Sequence, residues 1–284
     1  WPEPVDGIVT NGLTEEFVID YTPELKEQAM VILNGYRVGG LYVPALPQGH
    51  ENDYINNIGC IGGGNVIPHP PVGDPSTGLM FASHARNCFA PGFMRPTNGV
   101  DRDNPNYPIP GQGGVTPNST PTTGKTVAAW LPGGGGGLPT IDGLRVFKPV
   151  DNQLTAYQMN SGEKAWSMAL GPTPDSIKNH PLLEGVDVPD TGGVGWSIQM
   201  VMADLLVQTR ALSEGGVQQI PDAPLALNAR DKFTGEIVGS VPLPAPGQYG
   251  MMTYLHQGKQ YIVVQIGSSR TDFPAALVAY RLPD

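Results

Sequence analysis

No apolar run in this sequence approaches the roughly 20 residues a helix needs to cross a bilayer, so no transmembrane segment is expected. Basic clusters are missing too. The 16 Lys and Arg are scattered among 26 Asp and Glu, for a formal net charge of -10, which leaves no electrostatic footprint for a phosphate backbone. Nucleic acid is therefore not an expected partner. The N-terminus lacks the charged, apolar and small-residue zones of a signal peptide, and its abrupt Trp1-Pro2 start reads as a mature or truncated end.

Cysteine is scarce. Cys60 and Cys88 are the only two, and a disulfide would fit an oxidising compartment while two buried thiols would fit any. His69 and His84 lie between them, but the short C-x-x-C unit that marks zinc is absent and no metal ligand is assigned. No Ser/His/Asp or Cys/His arrangement stands out from spacing, and no catalytic residue is assigned. "TTGKT" resembles the end of a phosphate-binding loop, yet Ser119 stands where the first glycine belongs. "NST" at Asn118 is an acceptor only in a host that glycosylates.

Glycine and proline are abundant, at 38 and 30 residues of 284. Between them lie short runs rich in Val, Ile, Leu and Tyr, which predict many short strands joined by turns. One helix is expected over 22–36: Thr22 caps, Pro23 suits the first position, Leu25, Ala29, Leu33 and Tyr36 recur on one face, and Gly35 stops it. Residues 91–140 show almost no periodic apolar pattern, and a loop that long is either a solvated excursion or a border to a substrate entrance.

A repeat then organises the chain. "LTAYQMNSGEKAW" (154–166) aligns without gaps on "LNARDKFTGEIVG" (227–239), so Ala156 matches Ala229, Gly162 matches Gly235, and Trp166 matches Gly239. Each is a strand, a tight turn with glycine at a positive-φ position, and a second strand. Trp166 is an apolar wedge for packing between sheets, and the second unit has lost it. A further unit follows Gly247, with a Gln257-Gly258 turn between strands. About three units are counted, beginning near Leu41, Trp196 and Met251, which argues for a β-propeller over a sandwich.

Four segments, "AYQMNSGEKAW", "TPDSIKNHPLLEGVDVP", "PLPAPGQYGMMTYLHQGKQYIVV" and "LVAYRLP", together resemble the C-terminal part of quinoprotein dehydrogenases of the membrane glucose dehydrogenase type. "GCIGGGNVIPHPPVGDPSTGLMFAS" is similar to the family's glycine-rich Asn-Trp strand followed by a D-P-x-T-G turn. The resemblance runs over residues 1–284 and implies a single partial domain: a few blades of an eight-bladed, exported, periplasmic propeller, with 91–140 inserted in the first blade. It also implies pyrroloquinoline quinone (PQQ) and calcium as cofactors, and a small alcohol or aldose as substrate.

The resemblance places the general base and most of the metal shell upstream of Trp1. The missing blades would then come from the same precursor or another chain, since an open array leaves strand edges unpaired. Asn65 matches the asparagine that contacts the quinone, although Val66 replaces the tryptophan after it. Trp196 is a second cofactor-contact candidate, with sheet packing as its alternative. The resemblance also favours a Cys60–Cys88 disulfide.

Other polar residues read as structural: His180 as a backbone cap, Asp74 as a turn cap, and Arg145 and Lys148 as solvated charges or contacts to an acidic ligand. A non-catalytic propeller module that binds protein or polysaccharide is the alternative function, suggested by Val66 and Gly239.

Overall fold

The computed structural model describes residues 15–38, 56–62, 70–84, 87–89, 93–94, 131–132, 138–148, 152–193, 197–210, 224–267 and 274–281. The chain divides into two compact units. One comprises Trp1–Val9, Gly63–Arg86 and Pro149–Asp284; the other comprises Thr10–Gly62 and Asn87–Lys148.

The first unit is built of antiparallel sheets. β1 (Val72–Asp74), β2 (Leu79–His84), β3 (Gln153–Gln158) and β4 (Lys164–Ala169) form one in the order β4-β3-β2-β1. β5 (Ser197–Val201), β6 (Leu205–Arg210), β7 (Ala226–Asp231) and β8 (Ile237–Pro242) form the next in sequence order. β9 (Gly247–His256), β10 (Lys259–Ile266) and β11 (Ala276–Arg281) form a third. Two of these sheets begin close to Trp196 and Met251, where the repeat places them; Leu41 lies outside the described residues.

The repeat is visible in the pairing. Val72, Phe81, Ala156 and Trp166 lie side by side across the first sheet, as do Met200, Val207, Ala229 and Gly239 across the second and Met252, Val263 and Ala279 across the third. The turns repeat as well. Gly162 N–H donates to Gln158 O at 2.7 Å and Gly235 N–H to Asp231 O at 2.9 Å, each glycine at φ +77°, where a side chain would be strained. The Asp74–Gly78 turn makes the same bond at 2.9 Å with Gly78 at φ +70°. It is a further copy of the D-x-x-T-G turn seen at Asp231–Gly235.

Apolar faces meet between neighbouring sheets. Leu79, Phe81, Leu154 and Ala156 of the first sheet share a core with Leu206 of the second, and Val201 packs against it. Ile198, Val207 and Leu227 of the second share a core with Ile262, Val264 and Ile266 of the third. Within each sheet, tight turns lie at one end and long connections at the other. In the first sheet the chain leaves after His84 and returns at Gln153, so residues 91–140 fall within that excursion.

The second unit contains α1 (Pro23–Leu33), whose capping hydroxyl on Thr22 accepts from Leu25 N–H at 3.2 Å and whose Leu25, Ala29 and Leu33 are buried. The helix expected over 22–36 ends at Leu33, because Tyr36 instead pairs with Asn56 in a short parallel ladder. Residues 95–130 lie outside the described residues, while Phe93–Met94 pairs with Leu131–Pro132.

Candidate active-site end of the sheets

At the long-connection end, small polar groups replace the apolar seam. Ser197 N–H, opening β5, donates to Ser83 Oγ of β2 at 3.3 Å. On the other face of the first sheet, His84 Nε2 and Thr155 Oγ1 are 3.0 Å apart, and Thr155 Oγ1 and Ser167 Oγ 2.8 Å. Strand alternation puts these hydroxyls on the face opposite Leu154 and Ala156.

Asn152 enters β3 at this end and ties it to the connection between β4 and β5. Its Nδ2 donates to Gly192 O at 2.9 Å, and its own carbonyl accepts from Leu170 N–H at 2.9 Å. Gly192 sits at φ +87°, and a Cβ there would lie 1.9 Å from Asn152 O, so only glycine fits. Gly192 N–H to Gly171 O at 3.1 Å and Gly193 N–H to Pro172 O at 2.9 Å close the loop. Two buried amide oxygens, Asn152 Oδ1 and Gln199 Oε1, have no hydrogen-bond partner, although such groups are nearly always satisfied. They are acceptors in want of an N–H, an O–H or a water.

The connection also carries α2 (Asp175–Lys178) and a 3-10 turn that His180 caps, its Nδ1 accepting from Leu182 N–H at 3.2 Å. A cavity of about 660 Å³ opens here, bordered by Lys178, Asn179, His180, Glu184, Asp187 and Asp190.

The tight-turn end is a lock between sheets. Asp74 Oδ1 accepts from Ser76 N–H at 3.0 Å and Oδ2 from Thr77 Oγ1 at 2.8 Å, as its turn-capping role requires. It also accepts from Lys232 Nζ of the second sheet at 2.5 Å, and Lys232 donates to Ala203 O at 2.6 Å. Lys232 is 1% exposed. The Lys232 ammonium, then the Ser76 and Thr77 hydroxyls, hold the Asp74 carboxyl well below the usual carboxylate range, against the opposing pull of burial.

Above this pair, Trp166 Nε1–H donates to Lys232 O at 2.9 Å and its ring lies over Gly235. Arg230, buried beside it, donates to Gln208 Oε1 at 3.2 Å and Gly235 O at 2.7 Å, and burial pushes its guanidinium down. Lys232, Asn152 and Gln199 were not singled out from the sequence. The signals were the shared D-x-x-T-G turn for Lys232 and a glutamine inside the apolar "SIQMV" for Gln199.

Asn65, Trp196 and His69 lie outside the described residues. Cys88 is half-buried and disulfide-bonded; Cys60, the chain's other cysteine, lies on Gly59–Gly62, the strand paired with Asn87–Phe89. Lys148 is held by Asp20 at 2.6 Å, and Arg145 is half-buried on Leu144–Arg145. Among the described residues no group of three His, Cys, Asp or Glu could hold a metal ion. No described helix is long and apolar enough to cross a membrane.

The family model described as "PQQ: Glucose/ethanol/alcohol dehydrogenase, beta-propeller domain" matches residues 2–262. The chain belongs to this family. The match runs through both compact units, and the repeated antiparallel sheets are those of a propeller.

Among curated relatives, the glycerol dehydrogenase large subunit of Gluconobacter oxydans (strain 621H) is 29% identical over 196 residues, covering 64% of this chain and 23% of the relative. Quinoprotein glucose dehydrogenase A of Acinetobacter calcoaceticus is 30% identical over 145 residues, covering 50% of this chain and 16% of the relative. The chain thus spans about a quarter or less of these relatives. The crystal structure of quinohemoprotein alcohol dehydrogenase from Comamonas testosteroni overlaps 75% of this chain and 25% of its own, with TM-score 0.42 and 16% identity.

Proposed function

We propose that this propeller portion serves a PQQ-dependent dehydrogenase oxidising an alcohol, polyol or aldose. The observation that carries the reading is the family match over residues 2–262. The polar long-connection end supports it: a serine pair, a buried histidine and two unsatisfied amide oxygens lie toward the end of the sheets at which β5 opens, one residue after Trp196. We assign Asn65 and Trp196 as cofactor contacts.

The described residues do not by themselves fit a whole quinone site. Unsatisfied amide oxygens accept hydrogen bonds and do not neutralise carboxylates, and among the described residues no metal-ligating cluster accompanies them. On the resemblance, we assign the general base and the calcium ligands to segments outside this chain. When bound, the quinone supplies the two-electron chemistry. This chain's residues orient and enclose: the Asn152–Gly192 contact sets the path of the loop toward Trp196, and the Ser83–Ser197 bond fixes the start of β5. The disulfide at Cys88 supports an exported, periplasmic location.

The binding-module alternative drew on the wedge lost at Gly239. At that seam Tyr280 Oη donates to Pro242 O at 2.6 Å, so the third sheet is tied down by another means and the loss favours neither reading.

The test is dye-linked oxidation of ethanol, glycerol and glucose by the chain assembled with its completing polypeptide, PQQ and calcium. Quinone-dependent dye reduction is expected with at least one substrate. An assembly that neither binds PQQ nor reduces dye would overturn the reading.

A further inference from the structure

In the third strand of each sheet one register recurs, Leu154 to Tyr157, Leu227 to Arg230 and Leu277 to Tyr280, with the leucine buried in the first two and exposed in the third. In the second and third sheets the last position reaches back to the sheet before. Tyr280 Oη donates to Pro242 O of β8 at 2.6 Å, and Arg230 Nη1 donates to Met168 Sδ of β4 at 3.2 Å. A neutral phenol therefore suffices to tie one sheet to the preceding one, and the charge on Arg230 is not needed for that task.

The charge is costly where it lies. Arg230 is 8% exposed, and every acceptor it has is neutral: Met168 Sδ, Gly235 O at 2.7 Å and, through Nε, Gln208 Oε1 at 3.2 Å. Burying an ion without a counter-charge is strongly unfavourable. The seam holds a second buried cation, Lys232, and that ammonium takes up the Asp74 carboxylate. Asp231, next in the chain, turns Oδ1 to the N–H groups of Phe233 and Thr234 at 2.7 and 2.9 Å. Among the described residues no carboxylate pairs with Arg230.

One nitrogen is left over. Nε and Nη1 have the partners above, while Nη2 has none in the chain. The sealed unsatisfied atoms among the described residues are the amide oxygens of Asn152 and Gln199, so Nη2 meets solvent. It carries two of the five N–H donors of a guanidinium. Beside it the thioether of Met168, half-buried on the outer strand of the first sheet, is a flexible wall.

We infer that Arg230 Nη2, bordered by Met168 at the seam between the first two sheets, binds one oxyanion group, a carboxylate or a phosphate, from outside the chain. A guanidinium suits either through charge-assisted N–H···O bonds. The bound anion supplies the counter-charge that this seam lacks, at the end where β7 runs into its tight turn.

The inference rests on the seam and not on the oxidoreductase reading, so its test involves no quinone. Thermal unfolding of the full assembled protein is followed in sodium chloride, with phosphate or acetate replacing chloride at constant ionic strength. A saturable rise of the midpoint by about 2 °C is expected with at least one of them. A rise with phosphate alone assigns a phosphate-bearing ligand, and a rise with acetate assigns a carboxylate. Met168→Glu, which puts a carboxylate beside Nη2, should remove the rise, and the neutral, similarly shaped Met168→Gln should keep it. Arg230→Tyr, the residue of the other two sheets, is the second variant and should remove it as well. No saturable rise with either anion, or a rise that survives in Met168→Glu or Arg230→Tyr, would overturn the inference.

Discussion

Lys232 carries its charge where almost no water reaches, and Asp74 is the anion that makes this tolerable. Because the folded carboxyl lies below its ordinary 3.8, the stability it contributes is complete above about pH 4 and is lost as pH falls through the folded value. Asp74→Asn should therefore lower the urea midpoint at pH 7 and flatten the acid side of the stability profile. A variant that kept the wild-type slope below pH 4 would show that another carboxylate sets it. Trp166→Phe keeps most of the ring but loses the bond to Lys232 O, an expected cost of about 1 kcal/mol in urea denaturation. Trp166→Ala should cost roughly 2–4 kcal/mol, since the ring also covers Gly235. Asp74 was legible as a turn cap because capping is local. Its pairing with Lys232, 158 residues away, was not, since no local pattern encodes which turns meet.

At the scale of elements, the repeat was the most legible feature because strand, turn glycine and strand recur at fixed spacing and each fits a local backbone need. The registers at Ala156 and Ala229 follow from it. The first sheet was harder to see, because its strands are split by 68 residues between His84 and Gln153. The helix was legible in its cap and buried face and overshot at its end, where pairing of Tyr36 outweighs its helical spacing. Leucines at one repeat position supply a direct comparison: Leu227→Ala should cost about 2–5 kcal/mol and Leu277→Ala within about 0.5 kcal/mol in the isolated chain. Equal losses would contradict the exposure difference between them.

Over the whole molecule, the architecture and the family agree, and under the proposed function the chemistry is shared with segments outside this chain. Asn152 and Gln199 escaped notice because a lone amide in an apolar strand carries no spacing signal; only burial reveals its unsatisfied oxygen. Asn65 is assigned through the family's glycine-rich strand and Trp196 through its place at the opening of the second unit; both lie outside the described residues. The most direct measurement is equilibrium binding of PQQ to the assembled protein in the presence of calcium, followed by quinone fluorescence, for wild type and Asn65→Ala. The account predicts saturable binding that Asn65→Ala weakens by about ten-fold, as for one lost hydrogen bond to a charged or polarised group. Absence of saturable binding to the wild-type assembly would contradict it.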